Sequence, residues 1–279
     1  MSIPTNLSEL EFQIYFEPHL SKAKRGYTSK IPLYKICNYI LYLLYTGCQW
    51  RSLPIEKDKD NPDKLEISWQ AVYYHFKKWS NDRSFKKLHK NSVLLIEKHL
   101  DLSEINLDGT HTPAKKGGEG VAYQGRKKAK TSNILPLTDA NGNIIATTDV
   151  VAGNHHDCYN LVSNLKQIYK DLKELKLDYK GAYHNMDMAF DTKDARKTCW
   201  NYGVIPNIPE NTRNQKKIKR GRKRHFNKEI YKNRFVNERS FAWVDKFKRL
   251  LIRFERRNTH FFGLNLMAFT MVNLRNIIG

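Results

Sequence analysis

Three acidic residues stand in segments that can bring them together: Asp108 in INLDGTHT, Asp187 in HNMDMAFDT and Glu238 in YKNRFVNERSFAW. The rest of the chain is strongly basic, with 49 Lys and Arg against 28 Asp and Glu and a net charge of +21. Carboxylates gathered inside such a surface are costly unless a cation binds them, and a divalent metal ion is the natural one. Magnesium prefers oxygen ligands, and two such ions about 3.5–4 Å apart activate an oxygen nucleophile and stabilise a leaving oxygen at phosphorus. Acidic side chains in a polycationic chain thus point to phosphodiester chemistry on nucleic acid.

The elements that must position these acids read as α/β. Ile105 and Leu107 alternate with Asn106 and Asp108 as in a half-buried strand, so Asp108 points away from the face carrying the two apolar residues. SNILPLT and NIIATTDVV follow as two more strands, joined by an Asn141-Gly142 turn. A helix is expected from Asp157 to about Lys173, then a strand, AYHNMD, ending at Asp187. The next helix, about Thr192 to Tyr202, is announced by Asp191 and closed by Gly203, and VIPNI is a short fifth strand. A last helix carries Glu238. At 100° per residue, Tyr231, Arg234, Glu238 and Asp245 fall within an arc of roughly 60°, with Lys246 on its flank, while Phe235, Ala242 and Trp243 supply the packing. This order resembles the RNase H-like fold, a mixed sheet flanked by helices, in which the strands bearing Asp108 and Asp187 are neighbours.

Residues 1–100 read instead as an all-helical, helix-turn-helix-like DNA-binding domain, and 101–279 as the catalytic domain with a basic insertion at about 209–230. Pro32 opens a helix that ends at Gly47, Ser68 caps WQAVYYHFKKW, and a further helix runs from about Arg83 to His99. Hydrophobic content of 40% and aromatic content of 12% exclude a mainly disordered basic protein. The apolar stretches 31–50 and 261–278 carry Lys35, Asn38, Asn265, Asn273 and Arg275, which makes them core helices and not membrane spans. Four scattered cysteines without a CxxC pair read as reduced thiols, in keeping with the cytoplasm.

Two basic clusters are candidates for contact with phosphates. GRKKAK places Arg126, Lys127 and Lys128 just after the first strand. The densest run supplies Lys216, Lys217, Lys219, Arg220, Arg222, Lys223 and Arg224. As a helix it would repel itself, whereas laid along a phosphate backbone it is stabilised. His156 is a weaker candidate beside them. The glycine-rich KKGGEG lacks the terminal Gly-Lys-Ser/Thr of a nucleotide-binding loop.

The segment YKNRFVNERSFAWVDKFKRL resembles DDE transposases of bacterial insertion sequences, in the subgroup whose signature is Tyr-x2-Arg-x3-Glu-x6-Lys; Tyr231, Arg234 and Glu238 match its spacing. LDGTHTPA and MDMAFDT resemble the segments bearing that family's two aspartates, AGNHHDC a motif between them, and GCQWRSLP with WQAVYYHFKKW its DNA-binding region. Asp245 stands where the signature has lysine, with Lys246 next, and Met188, Ala189 and Phe190 replace the family's Lys-Gly-Tyr. The resemblance implies cut-and-paste transposition. Asp108, Asp187 and Glu238 would hold two Mg2+ or Mn2+ ions, with Tyr231, Arg234 and Lys246 on phosphates near the cleaved end. The implied partners are double-stranded DNA, as terminal inverted repeats and target, and a second copy of the chain in a homodimer. A decayed copy that only binds DNA, or a nuclease of the same fold, is the alternative.

Overall fold

The computed structural model describes residues 3–22, 28–156, 158–211 and 224–278. In chain order the helices are α1 (Glu9–Tyr15), α2 (Leu33–Thr46), α3 (Trp69–Asn81), α4 (Ser84–Leu95), α5 (Leu161–Glu174), α6 (Lys193–Asn201), α7 (Lys228–Lys232), α8 (Val236–Val244), α9 (Lys248–Leu251) and α10 (Asn258–Asn273). The strands are β1 (Glu104–Leu107), β2 (Thr110–Pro113), β3 (Ala122–Gln124), β4 (Ala129–Ile134), β5 (Pro136–Asp139), β6 (Ile144–Thr147), β7 (Val151–Ala152), β8 (Tyr183–Met186) and β9 (Ile205–Asn207). They form two compact units. One comprises the described residues up to Ile96, Thr112–Glu119 and those from Trp243 on; the other comprises Glu97–His111 and Gly120–Ala242.

The first unit is mainly helical, and α1, α2 and α3 begin or end where capping residues stand. Ser8 and Glu11 form a reciprocal capping box on α1. α2 starts after Pro32 and stops at Gly47, whose φ of 74° is the left-handed cap that glycine adopts without strain. Ser68 Oγ accepts from Ala71 N at the head of α3. The apolar sides of α3 and α4 bury Phe76, Trp79, Phe85 and Leu88 against α10. The asparagines of α10 are satisfied inside the protein: Asn265 Nδ2 donates to Phe261 O at 2.8 Å and Asn273 Nδ2 to Ser92 Oγ at 3.1 Å. Among the described residues no helix is long and apolar enough to cross a membrane.

The second unit holds a five-stranded sheet of order β6-β5-β1-β8-β9. β6, β5 and β1 are antiparallel, whereas β1, β8 and β9 run parallel. This is the mixed α/β, RNase H-like arrangement expected. α5 and α6 pack together, with Leu165, Ile168 and Leu172 of α5 fully buried.

Three local expectations are revised. SNILPLT is not one strand: β4 ends at Ile134 in a smaller sheet with β3 and β7, and β5 begins at Pro136 in the main sheet. Proline has no N–H for a ladder, so a strand starts there and does not continue through it. Helix α6 is capped by Thr192, whose hydroxyl accepts from Ala195 N, and not by Asp191. β1 is buried on both faces, because the segment carrying α7 and α8 covers its polar side: Asn227 bonds to Asn207, and Asn237 to Thr138.

Candidate functional site

The sheet register brings the two aspartates together. Leu107 of β1 pairs with Met186 of the parallel neighbour β8, so Asp108 and Asp187 are the next residue on each strand, at the carboxyl end of the sheet. Asp108 Oδ1 accepts from Gly109 N at 2.9 Å, and Oδ2 accepts from Arg234 Nη2 at 3.0 Å. Burial pushes the Asp108 carboxyl up; Arg234 opposes this, and the charge of nearby Asp187 adds to it. Asp187 itself opens a single 3-10 turn, Met188–Phe190, whose Phe190 N donates to Asp187 O at 2.9 Å. In the turn formed by the three residues that depart from the family pattern, Phe190 is buried and Ala189 is exposed.

Arg234 is held from two sides. Its Nη1 donates to Tyr231 Oη at 2.9 Å while Nη2 reaches Asp108. Tyr231 in turn meets Phe226 edge-on, with ring centroids 5.2 Å apart. A guanidinium shared between a phenol and a half-buried carboxylate is a preorganised cation at the strand ends.

Glu238 stands on α8, beyond a break in the chain's last expected helix. The expected continuous helix is interrupted: α7 ends at Lys232, a 3-10 turn spans Asn233–Phe235, and α8 starts at Val236. The packing face is also different from that expected. Val236, Asn237 and Ser240 are buried, whereas Phe235 is 60% exposed. Glu238 is exposed in the first turn of α8, and Lys246 is exposed in the turn beyond it. Among the described residues, no three His, Cys, Asp or Glu side chains close on one point. Asp108 and Asp187 are two oxygen donors of like charge at adjacent strand ends, a pair that suits a hard divalent cation.

The basic candidates divide. Arg126, Lys127 and Lys128 are exposed on the tight turn between β3 and β4, where Lys128 N donates to Gly125 O at 3.2 Å. Arg224 is paired with Asp191. Lys216, Lys217, Lys219, Arg220, Arg222 and Lys223 lie outside the described residues. His156 is exposed, while His155 stacks on Tyr159 with centroids 3.7 Å apart. The AGNHHDC segment is fixed at its glycine: a Cβ on Gly153 would stand 1.9 Å from Thr131 Oγ1 and 2.5 Å from Thr131 O. Since Thr131 is also bonded to His111 at 3.2 Å, it has little room to yield. Gly153→Ala is expected to cost about 1–3 kcal/mol, read as a lower midpoint in thermal unfolding.

Two features escaped the sequence reading. Asp191, two residues from a helix start, is the centre of an ion cluster with Arg196 and Arg224. The strands β1, β8 and β9 also carry buried asparagines at one level. The repeated pattern Asn-x-Asp in NLD and NMD was the available signal for the latter, since asparagine is uncommon in strands.

Residues 100–274 match the family described as "Transposase DDE domain", and residues 7–89 match a putative transposase family of the IS4/5 type. No protein of curated function matches the sequence. Among solved structures, a Mos1 transposase paired-end complex with the left transposon end is similar at 12% identity and a TM-score of 0.29; the match covers 67% of this chain and 61% of that one. A Mos1 mariner paired-end complex with Mn is similar at 11% identity and a TM-score of 0.29, over 83% of this chain and 81% of that one. The chain therefore spans less than two thirds of the first of these two.

Proposed function

The chain belongs to the DDE transposase family, and we propose on that premise that it cuts DNA at the ends of an insertion element by hydrolysis and joins the freed 3′-hydroxyls to target DNA. The observation that carries this reading is the register placing Asp108 beside Asp187 at the ends of two parallel strands. These two carboxylates would hold the divalent ions, two Mg2+ or Mn2+, with Glu238 as the third ligand supplied by α8. Bound ions would supply charge neutralisation and an activated oxygen nucleophile. Arg234, steadied by Tyr231, would balance the charge of the phosphate at the cleaved end, and no covalent protein intermediate is needed.

The exposed Arg126, Lys127 and Lys128 suit a role as a clamp on the substrate strand, while Lys246 and the basic run before α7 would add phosphate contacts. The boundary near residue 100, between a helical DNA-binding part and a catalytic part, belongs to the same proposal. So do action as a homodimer on paired terminal repeats and residence in the cytoplasm, which cysteines without a disulfide among the described residues suit.

The experiment is a strand-transfer assay with labelled element ends, a supercoiled target, and Mg2+ or Mn2+. Joined products are expected, and their loss with each of Asp108→Ala, Asp187→Ala and Glu238→Ala. Cutting without joining would make the chain a nuclease. Specific binding of the ends with neither cutting nor joining would leave it a DNA-binding protein.

A further inference from the structure

A row of amides crosses the sheet beneath the candidate site. Asn106 pairs in register with Asn185, and Asn185 with Asn207, so β1, β8 and β9 each present an asparagine at one level. All three are 0% exposed. A buried amide is costly unless bonded, and these bonds run in one direction. Asn207 Nδ2 donates to Asn185 Oδ1 at 2.7 Å, and Asn185 Nδ2 donates to Asn106 Oδ1 at 2.8 Å and to Glu104 Oε2 at 3.2 Å.

The row leaves the sheet at Asn207. There, Asn227 N donates to Asn207 Oδ1 at 2.7 Å, and Asn207 Nδ2 donates to Asn227 O at 3.0 Å. The side-chain amide thus pairs with a main-chain amide as a neighbouring strand would. Asn227 is the N-cap of α7: its Oδ1 accepts from Glu229 N and Ile230 N, and its carbonyl from Tyr231 N at 3.1 Å. Two bonds from one side chain therefore fix the cap of the helix that delivers Tyr231, and one turn later Arg234, to Asp108.

We propose that Asn207 is a positioning residue: acting through Asn227, it sets Tyr231 and Arg234 at the strand end that carries Asp108. The proposal rests on the functional reading above for its effect on joining, but not for its effect on α7. A leucine of similar volume would fill the sheet and leave the helix start unregistered. The paired amide is satisfied in one placement only, and an error of about 1 Å at a reacting centre costs on the order of 100-fold in rate.

Two measurements test it, on Asn207→Ala and on Asn207→Ser, which is less disruptive should the alanine variant fold poorly. Leu165→Ala in α5 serves as a destabilised control. First, amide hydrogen exchange without metal or DNA is expected to rise about 10-fold over residues 228–236 while β1 and β8 keep their protection, a local opening and not a global one. In Leu165→Ala, protection is expected to fall without that selectivity. Second, joining at saturating DNA is expected to slow by about 30-fold with an unchanged KM. Combining Asn207→Ala with Arg234→Lys is expected to slow it little beyond the slower single variant, because both act on one constellation. Exchange that is unchanged, or that rises equally in β1 and β8, overturns the proposal, as do rate losses that multiply. If the wild-type chain joins no ends, the functional reading fails, and the exchange measurement still decides whether Asn207 positions α7.

Discussion

Asp108→Asn is expected to abolish cleavage and joining, by about 1,000-fold or more, while leaving the protein as stable as before or more so. The two effects have one origin. Asp108 is a half-buried carboxylate beside Asp187, and the loss of water around it is the largest influence, pushing its carboxyl above the ordinary range. A folded-state pKa above the unfolded one means that the ionised form favours unfolding, so at neutral pH the charge of Asp108 lowers stability. An amide keeps the shape and the acceptor for Gly109 N but removes that charge. It also weakens the contact with Arg234, which is a smaller effect because both side chains are about one quarter exposed. A midpoint shift of about +2 °C or less in metal-free buffer is the expected net result. Chemistry moves the other way, since an amide is a poor ligand for Mg2+ or Mn2+ and cannot neutralise it. The measurement pairs a strand-transfer assay with thermal unfolding with and without Mn2+. The wild type should be stabilised by the ion and the variant should not. A variant that still joined ends near the wild-type rate would remove Asp108 from the site.

The parts that were legible in the sequence are those governed by local chemistry. Pro32, Gly47 and Ser68 act on their own helix ends, and the alternation of Ile105 and Leu107 with Asn106 and Asp108 is a property of four consecutive residues. The two aspartates were found from nearby sequence: Asp108 ends an alternating segment, and Asp187 ends a short segment that precedes a helix start. Less legible was whatever depends on a distant partner. Asn106, Asn185 and Asn207 are unremarkable singly, and their meaning lies in a register that only tertiary pairing sets. The break at Asn233–Phe235 has no proline or glycine to announce it, because it arises where Asn227 and Asn237 are both tied to the sheet. Read along the chain, one continuous helix carries Tyr231, Arg234 and Glu238, whereas the anchored segment divides into α7, a 3-10 turn and α8, with Glu238 exposed. The strands β3 and β7, of three and two residues, are too brief for a period of two to register, and β2, Thr-His-Thr-Pro, has no apolar side to alternate.

Asp191 shows the same dependence on a distant partner and carries the largest expected loss of stability. Read along the chain it is a helix cap; in the fold its side chain is 2% exposed and is clasped by Arg196 Nε at 2.8 Å, by Arg224, and by Asn211 N at 2.9 Å. Burial pushes its carboxyl up, but the bond from Asn211 and the two guanidinium groups outweigh it, so the pKa falls below the ordinary value. Asp191→Ala leaves Arg196, 10% exposed, without its carboxylate, and breaking a buried pair costs about 3–5 kcal/mol. For a unit of this size the thermal midpoint is expected to drop by roughly 10 °C. The pH dependence follows from the direction of the shift. A folded-state pKa below the unfolded one gives stability that is present above about pH 3.8 and is lost as pH falls through the folded value. The wild type should therefore lose stability on acidification through that window, and Asp191→Ala should show a flatter acid limb. Asp191→Asn, which keeps an acceptor for Asn211 N, should fall between the two. An Asp191→Ala variant that melts with the wild type at pH 7 would mean that the cluster stabilises nothing, and that Arg224 is as free for a phosphate as its sequence neighbours suggested.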